Sequence, residues 1–116
     1  MTPADVLRVF AADSKPDNFG FYRVPCQLGE CELSMTIENG VATGVTILRP
    51  CAGTDLLERL LNLLRTGPYV AFAPGSKLVA VDGRAAQYMP AEMREAIGPV
   101  CVVSNTEQLS DALFAA

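Results

Sequence analysis

The sequence predicts an α+β fold: an antiparallel β-sheet of about five strands packed with helices, in the order α-βββ-α-ββ-α(-α), over a single domain of residues 1–116. Three observations carry that prediction. Two alternating apolar and polar runs flank Asn39-Gly40, the pattern of a β-hairpin. Six leucines, at positions 56, 57, 60, 61, 63 and 64, fall within nine residues behind a Thr54-Asp55 start signal, which reads as a helix. Finally, 116 residues at 50% apolar and 19% charged are enough for one core and too apolar for a disordered chain.

The first element is a helix over residues 3–13, with Thr2 available as a cap, Pro3 at the first position and Asp5 in the first turn. Pro16 and Asp17-Asn18 end it. Phe19 to Val24 are aromatic and β-branched and read as the first strand. In the hairpin that follows, Leu33, Met35 and Ile37 share one face. A two-residue turn at Asn39-Gly40 would set them opposite to the face of Val45 and Ile47. A three-residue loop, Glu38-Asn39-Gly40 with Gly40 left-handed, pairs Ile37 with Val41, Met35 with Thr43 and Leu33 with Val45, and is the register expected here. After the leucine-rich helix, stopped by Gly67-Pro68, a second hairpin pairs Phe72 with Leu78, Ala71 with Val79 and Val70 with Ala80, apolar on both faces. A helix from about Pro90, a short strand at Val100–Val103 and a helix over residues 105–114 with a Ser104/Glu107 capping box complete the chain.

A net charge of −4 with scattered cations leaves no basic stripe to neutralise phosphates, so nucleic acid is not an expected ligand. No apolar window is long enough to span a bilayer, and the first residues carry no export pattern, so the expected location is the cytoplasm, with no membrane partner. The four cysteines, at 26, 31, 51 and 101, could form two disulfides or hold zinc. Their spacing lacks the close ligand pairs of structural zinc sites, and in a reducing compartment four thiols are expected. With no His and no phosphate loop or nucleophile elbow, the sequence names no catalytic, cofactor-binding or metal residue, and the expectation is a non-enzymatic protein.

The hairpin Cys31–Leu48, the helix Asp55–Thr66 and the hairpin Tyr69–Asp82, in an acidic chain of this size, resemble the class I chaperones of type III secretion. That resemblance implies a cytoplasmic homodimer that holds an extended segment of a secreted effector against apolar patches. The interrupted C-terminal region at Gly98-Pro99 departs from the long final helix of such chaperones. A second reading is a regulatory antagonist, a small cytoplasmic protein of antiactivator or immunity type that docks on a folded bacterial protein such as a transcription regulator or toxin. Under either reading the expected partner-binding residues are Leu56, Leu60, Leu63, Tyr69, Phe72, Val79 and Val81, because the leucines surround most of the helix and both faces of the second hairpin are apolar. Leu56 and Leu63 are expected to point outward. Tyr22, Tyr69 and Tyr88 are candidate interface anchors.

Overall fold

A computed structural model describes residues 1–50, 54–73, 76, 78–82, 91–92, 95 and 100–114. The elements run α1 (Pro3–Val9), β1 (Tyr22–Cys26), β2 (Gly29–Glu38), β3 (Val41–Leu48), α2 (Asp55–Arg65), β4 (Leu78–Ala80), β5 (Val100–Val102) and α3 (Thr106–Phe114). The α+β class holds. The single five-stranded antiparallel sheet does not: β1-β2-β3 form an antiparallel sheet, whereas β4 and β5 form a separate parallel pair. The chain divides into two compact units, Met1–Leu60 and Leu61–Ala116, with the boundary inside α2.

In the first unit α1 begins at a capping box. The Asp5 amide donates to the Thr2 hydroxyl and the Thr2 amide to the Asp5 carboxylate, both at 3.2 Å. Thr2 thereby holds the Asp5 carboxyl below its ordinary 3.8, helped by Arg8. The helix stops sooner than Pro16 would require. Ala11 takes a left-handed φ of 51°, and the amides of Ala11 and Ala12 close back on the carbonyls of Arg8 and Leu7. Alanine stands where glycine is the usual residue, so the sequence hid this stop.

Asn39 and Gly40 both have positive φ, 53° and 76°, and form a two-residue turn that pairs Glu38 with Val41. The three-residue loop is therefore wrong, but the single apolar face it was meant to secure is present. One extra residue, Thr43, is bulged between the Ile37–Ala42 and Thr36–Gly44 pairs, which brings Met35 opposite Val45 and Leu33 opposite Ile47. The Thr43 hydroxyl donates to the Thr36 carbonyl at 3.3 Å and holds the bulge. Val6, Phe10, Val24, Cys31, Leu33 and Leu56 are the buried residues of this unit.

Arg59, from α2, donates to the carbonyls of Phe10 at 3.0 Å and Pro25 at 2.8 Å. Asp55, one turn before it, accepts the Gln27 amide at 2.9 Å and lies 3.8 Å from the guanidinium. The end of α1, the β1–β2 turn and the start of α2 are thus tied together. Near this point Cys26 is disulfide-bonded, contrary to the expectation of four thiols, while Cys31 and Cys101 are not in disulfides. Sequence intervals gave no sign that Asp55 returns to the β1–β2 turn.

In the second unit Ala71 pairs with Val79, as predicted, through reciprocal bonds of 2.8 and 2.9 Å, although Tyr69–Ala73 forms only this bridge and no strand. The Pro74-Gly75 turn and Lys77 lie outside the described residues. All three residues of β4 are buried because β5 pairs on its other side, in parallel, and α3 touches it. Parallel strands need a long crossover, and residues 81–99 supply one. The helix expected from Pro90 lies mostly outside the described residues, with Ala91, Glu92 and Glu95 helical. At α3 the cap is Asn105, which accepts the Gln108 amide at 2.8 Å, while Gln108 accepts the Ser104 amide, so the expected Ser104/Glu107 box is displaced by one residue. Arg65 donates to the Ser104 carbonyl at 3.0 Å. Gly67 is needed where α2 ends, since a Cβ there would lie 2.9 Å from the Tyr69 ring.

Two substitutions test these backbone assignments in opposite directions. Gly40→Val is expected to destabilise the protein by about 1–2 kcal/mol, because a β-branched residue is strained at positive φ. Ala11→Gly is expected to stabilise it by about 0.5–1 kcal/mol, the left-handed penalty of alanine being removed. Urea midpoints that move the other way, or not at all, contradict the two turns.

Candidate functional site

Each of the seven residues expected to meet a partner has a definite place. Leu56 and Leu63 are 6% and 8% exposed and Val79 is fully buried, so these three are core. The outward orientation expected for Leu56 and Leu63 is not found. The boundary between the two compact units falls between Leu60 and Leu61, so that of the buried leucines of α2 Leu56 lies in the first unit and Leu61, Leu63 and Leu64 in the second. Leu60, Tyr69 and Val81 are half-buried. Phe72 alone of the seven is open to solvent, 53% exposed beside the Ala71 bridge. Tyr22 is half-buried in β1, and Tyr88 lies outside the described residues.

The exposed large apolar side chains other than Phe72 are not among the expected partner-binding residues. Phe19, at 85%, stands in the turn closed by Gly20, and Leu28 stands in the two-residue turn between β1 and β2. Ile37 and Val41 flank the next turn, while Val102 and Phe114 lie on β5 and at the end of α3. Turn positions and element ends project from a small core whatever their side chain, which is the signal that could have found them.

A cleft of about 380 Å³ in the first unit is lined by charges of both signs. Arg23 on β1 meets Asp13 at 2.8 Å and Glu30 at 3.5 Å, and Asp17 accepts the amides of Phe19 and Phe21 at 2.8 and 3.0 Å. These contacts hold residues 13–21 against the β1 edge, where the Asp13 and Asp17 amides bond the Arg23 and Phe21 carbonyls. Lys15, Glu32 and Arg49 complete the charged lining and make no ion pair among the described residues. The ion pairs are exposed, each worth under about 1 kcal/mol, and the cleft offers a polar rim to a partner. Among the described residues there is no group of three His, Cys, Asp or Glu placed to hold a metal, and no helix long and apolar enough to cross a membrane.

No family model, curated protein or solved structure matches this chain.

The burial pattern separates core from surface by experiment. Leu63→Glu is expected to cost several kcal/mol, on the order of 3 or more, and to unfold the protein, because an unpaired charge enters a buried site. Phe72→Ser is expected to leave the unfolding midpoint within about 0.5 kcal/mol of the parent. A folded Leu63→Glu variant would return that residue to the surface.

Proposed function

We propose that this chain is a non-enzymatic protein-binding protein that uses its exposed aromatic and aliphatic side chains to engage a polypeptide. The observation that carries the reading is the set Phe19, Leu28, Ile37, Val41, Phe72, Val102 and Phe114, large apolar side chains left in water by a chain that nonetheless buries two cores. Aromatic residues are over-represented at the centres of protein interfaces because they combine large apolar area with few rotamers.

Two forms of this reading differ in the state of the partner. As a homodimeric chaperone resembling the class I type III secretion family, the protein would hold an extended effector segment in the cytoplasm. As an antagonist, it would dock on a folded regulator or toxin. The Cys26 disulfide bears on the compartment and not on the partner's state: it argues against a reducing cytoplasm for both forms alike, since disulfides persist where glutathione and thioredoxin do not reduce them.

Thiol titration of the denatured, unreduced protein is expected to find fewer than four thiols, with reduction restoring the missing signal. Four thiols before reduction would restore the cytoplasmic location expected for both forms. Capture from the native host should then be compared between the parent and a Phe19→Ser, Phe72→Ser double variant of equal stability. A specific partner lost in the variant, and resistant to limited proteolysis while bound, supports the antagonist. A partner digested except for one bound segment supports the chaperone, and capture indifferent to both aromatics contradicts the reading.

A further inference from the structure

The first sheet has one covered edge and one open edge. On β1, Arg23 faces out of the sheet and its carbonyl accepts the Asp13 amide at 2.9 Å. On β3, the Ala42 amide donates outward to the Met1 carbonyl at 2.8 Å. Antiparallel pairs alternate between those that share backbone bonds and those that do not. The Glu38–Val41 pair closes the turn and Ile37–Ala42 does not bond. With Thr43 and Gly44 both opposite Thr36, the alternation points Thr46 and Leu48 toward β2 and Val45 and Ile47 away from it. Neither of those two amides has a backbone acceptor outside its own sheet among the described residues.

Edge strands are usually guarded by charge or proline, yet Val41–Leu48 contains neither. Met1 and the Thr43 bulge occupy its first half; among the described residues no backbone bond from outside the sheet reaches Val45 to Leu48.

We propose that this open edge pairs antiparallel, across a two-fold axis, with the same strand of a second copy of the chain. The inference rests on the protein-binding reading and names a surface and a partner within it. Pairing Val45 with Ile47 of the second copy, and Ile47 with its Val45, satisfies the outward amides and carbonyls of Val45 and Ile47 in both strands at once. That register sets Thr46 against its own copy on the axis, at the close, non-bonded position where threonine pairs interact. It also sets Gly44 opposite Leu48 of the second copy, a gap facing a large side chain. Val45 and Ile47, half-buried on the apolar face, meet their like, and no charge of this acidic chain falls between Val41 and Leu48 to repel its copy. A foreign segment could meet the same backbone groups but would have no use for the Gly44–Leu48 match or for Thr46 on an axis, so the second copy is the occupant the strand fits.

Thr46 is exposed, so it can be charged without entering the core. Thr46→Lys and Thr46→Glu should be compared with the parent by analytical ultracentrifugation at low salt, with circular dichroism to show equal folding. The parent is expected to dimerise reversibly, each variant to self-associate more weakly, and an equal mixture of the two to associate roughly tenfold more tightly than either alone, opposite charges replacing like charges across the axis. A parent that stays monomeric up to about 1 mM, the range of very weak association, overturns the proposal. A dimer indifferent to both substitutions overturns it too, by placing the interface elsewhere. If the parent is monomeric but an alternating apolar peptide shifts the Val45 and Ile47 amide signals, the edge serves a foreign strand. That result overturns self-pairing and leaves the protein-binding reading standing, whereas failure of partner capture with an intact charge swap does the reverse.

Discussion

Three chain segments distant in sequence meet at the Arg59 guanidinium, and the first unit depends on that meeting. Phe10 closes α1 and Pro25 lies next to the β1–β2 turn, and their carbonyls would otherwise be acceptors near a core with little to accept from. A hydrogen bond from a charged donor contributes about 1.5–3 kcal/mol, more than an exposed ion pair supplies. Asp55, 14% exposed, accompanies the arginine, accepts the Gln27 amide and sits where an acid favours the start of a helix. Its second oxygen, Oδ1, is buried and has no hydrogen bond among the described residues.

The elements were legible where local chemistry decided them. Thr2, Pro3 and Asp5 marked the first helix, alternation marked the first hairpin, and the facing of Ala71 and Val79 followed from the turn between them. Non-local pairings were hidden. Nothing in Val100–Val102 distinguishes a strand that joins β4 in parallel from one that extends an antiparallel sheet, because both are short apolar runs. The bulge at Thr43 was equally hidden, although its purpose, one apolar face, was what the sequence demanded. The site was less legible still. The leucines around α2 give the apolar surface the helix carries, but not that the boundary between the two compact units falls between Leu60 and Leu61.

This division changes where the surplus apolar surface lies. A short acidic chain with 50% apolar residues was expected to expose the leucine helix and the second hairpin. It buries Leu56, Leu61, Leu63 and Leu64 of the helix and all of β4, and the exposed large apolar side chains sit on turns, at the ends of elements and at Phe72. Such positions can be covered by a partner without disturbing the core, so binding and stability are carried by different residues. The Cys26 disulfide strengthens the same region as the Arg59 cluster by limiting the unfolded chain.

The hydrogen bonds of Arg59 and Asp55 to Phe10, Pro25 and Gln27 close the first unit while its apolar projections stay open, and native-state hydrogen exchange at the β1–β2 turn tests this most directly. Gln27 and Leu28 are adjacent, both exposed, and differ in that the Gln27 amide donates to Asp55. The predicted result is a Gln27 amide that exchanges only with opening of the whole unit, beside a Leu28 amide that exchanges like an unprotected turn. Equal, fast exchange at both positions would contradict it.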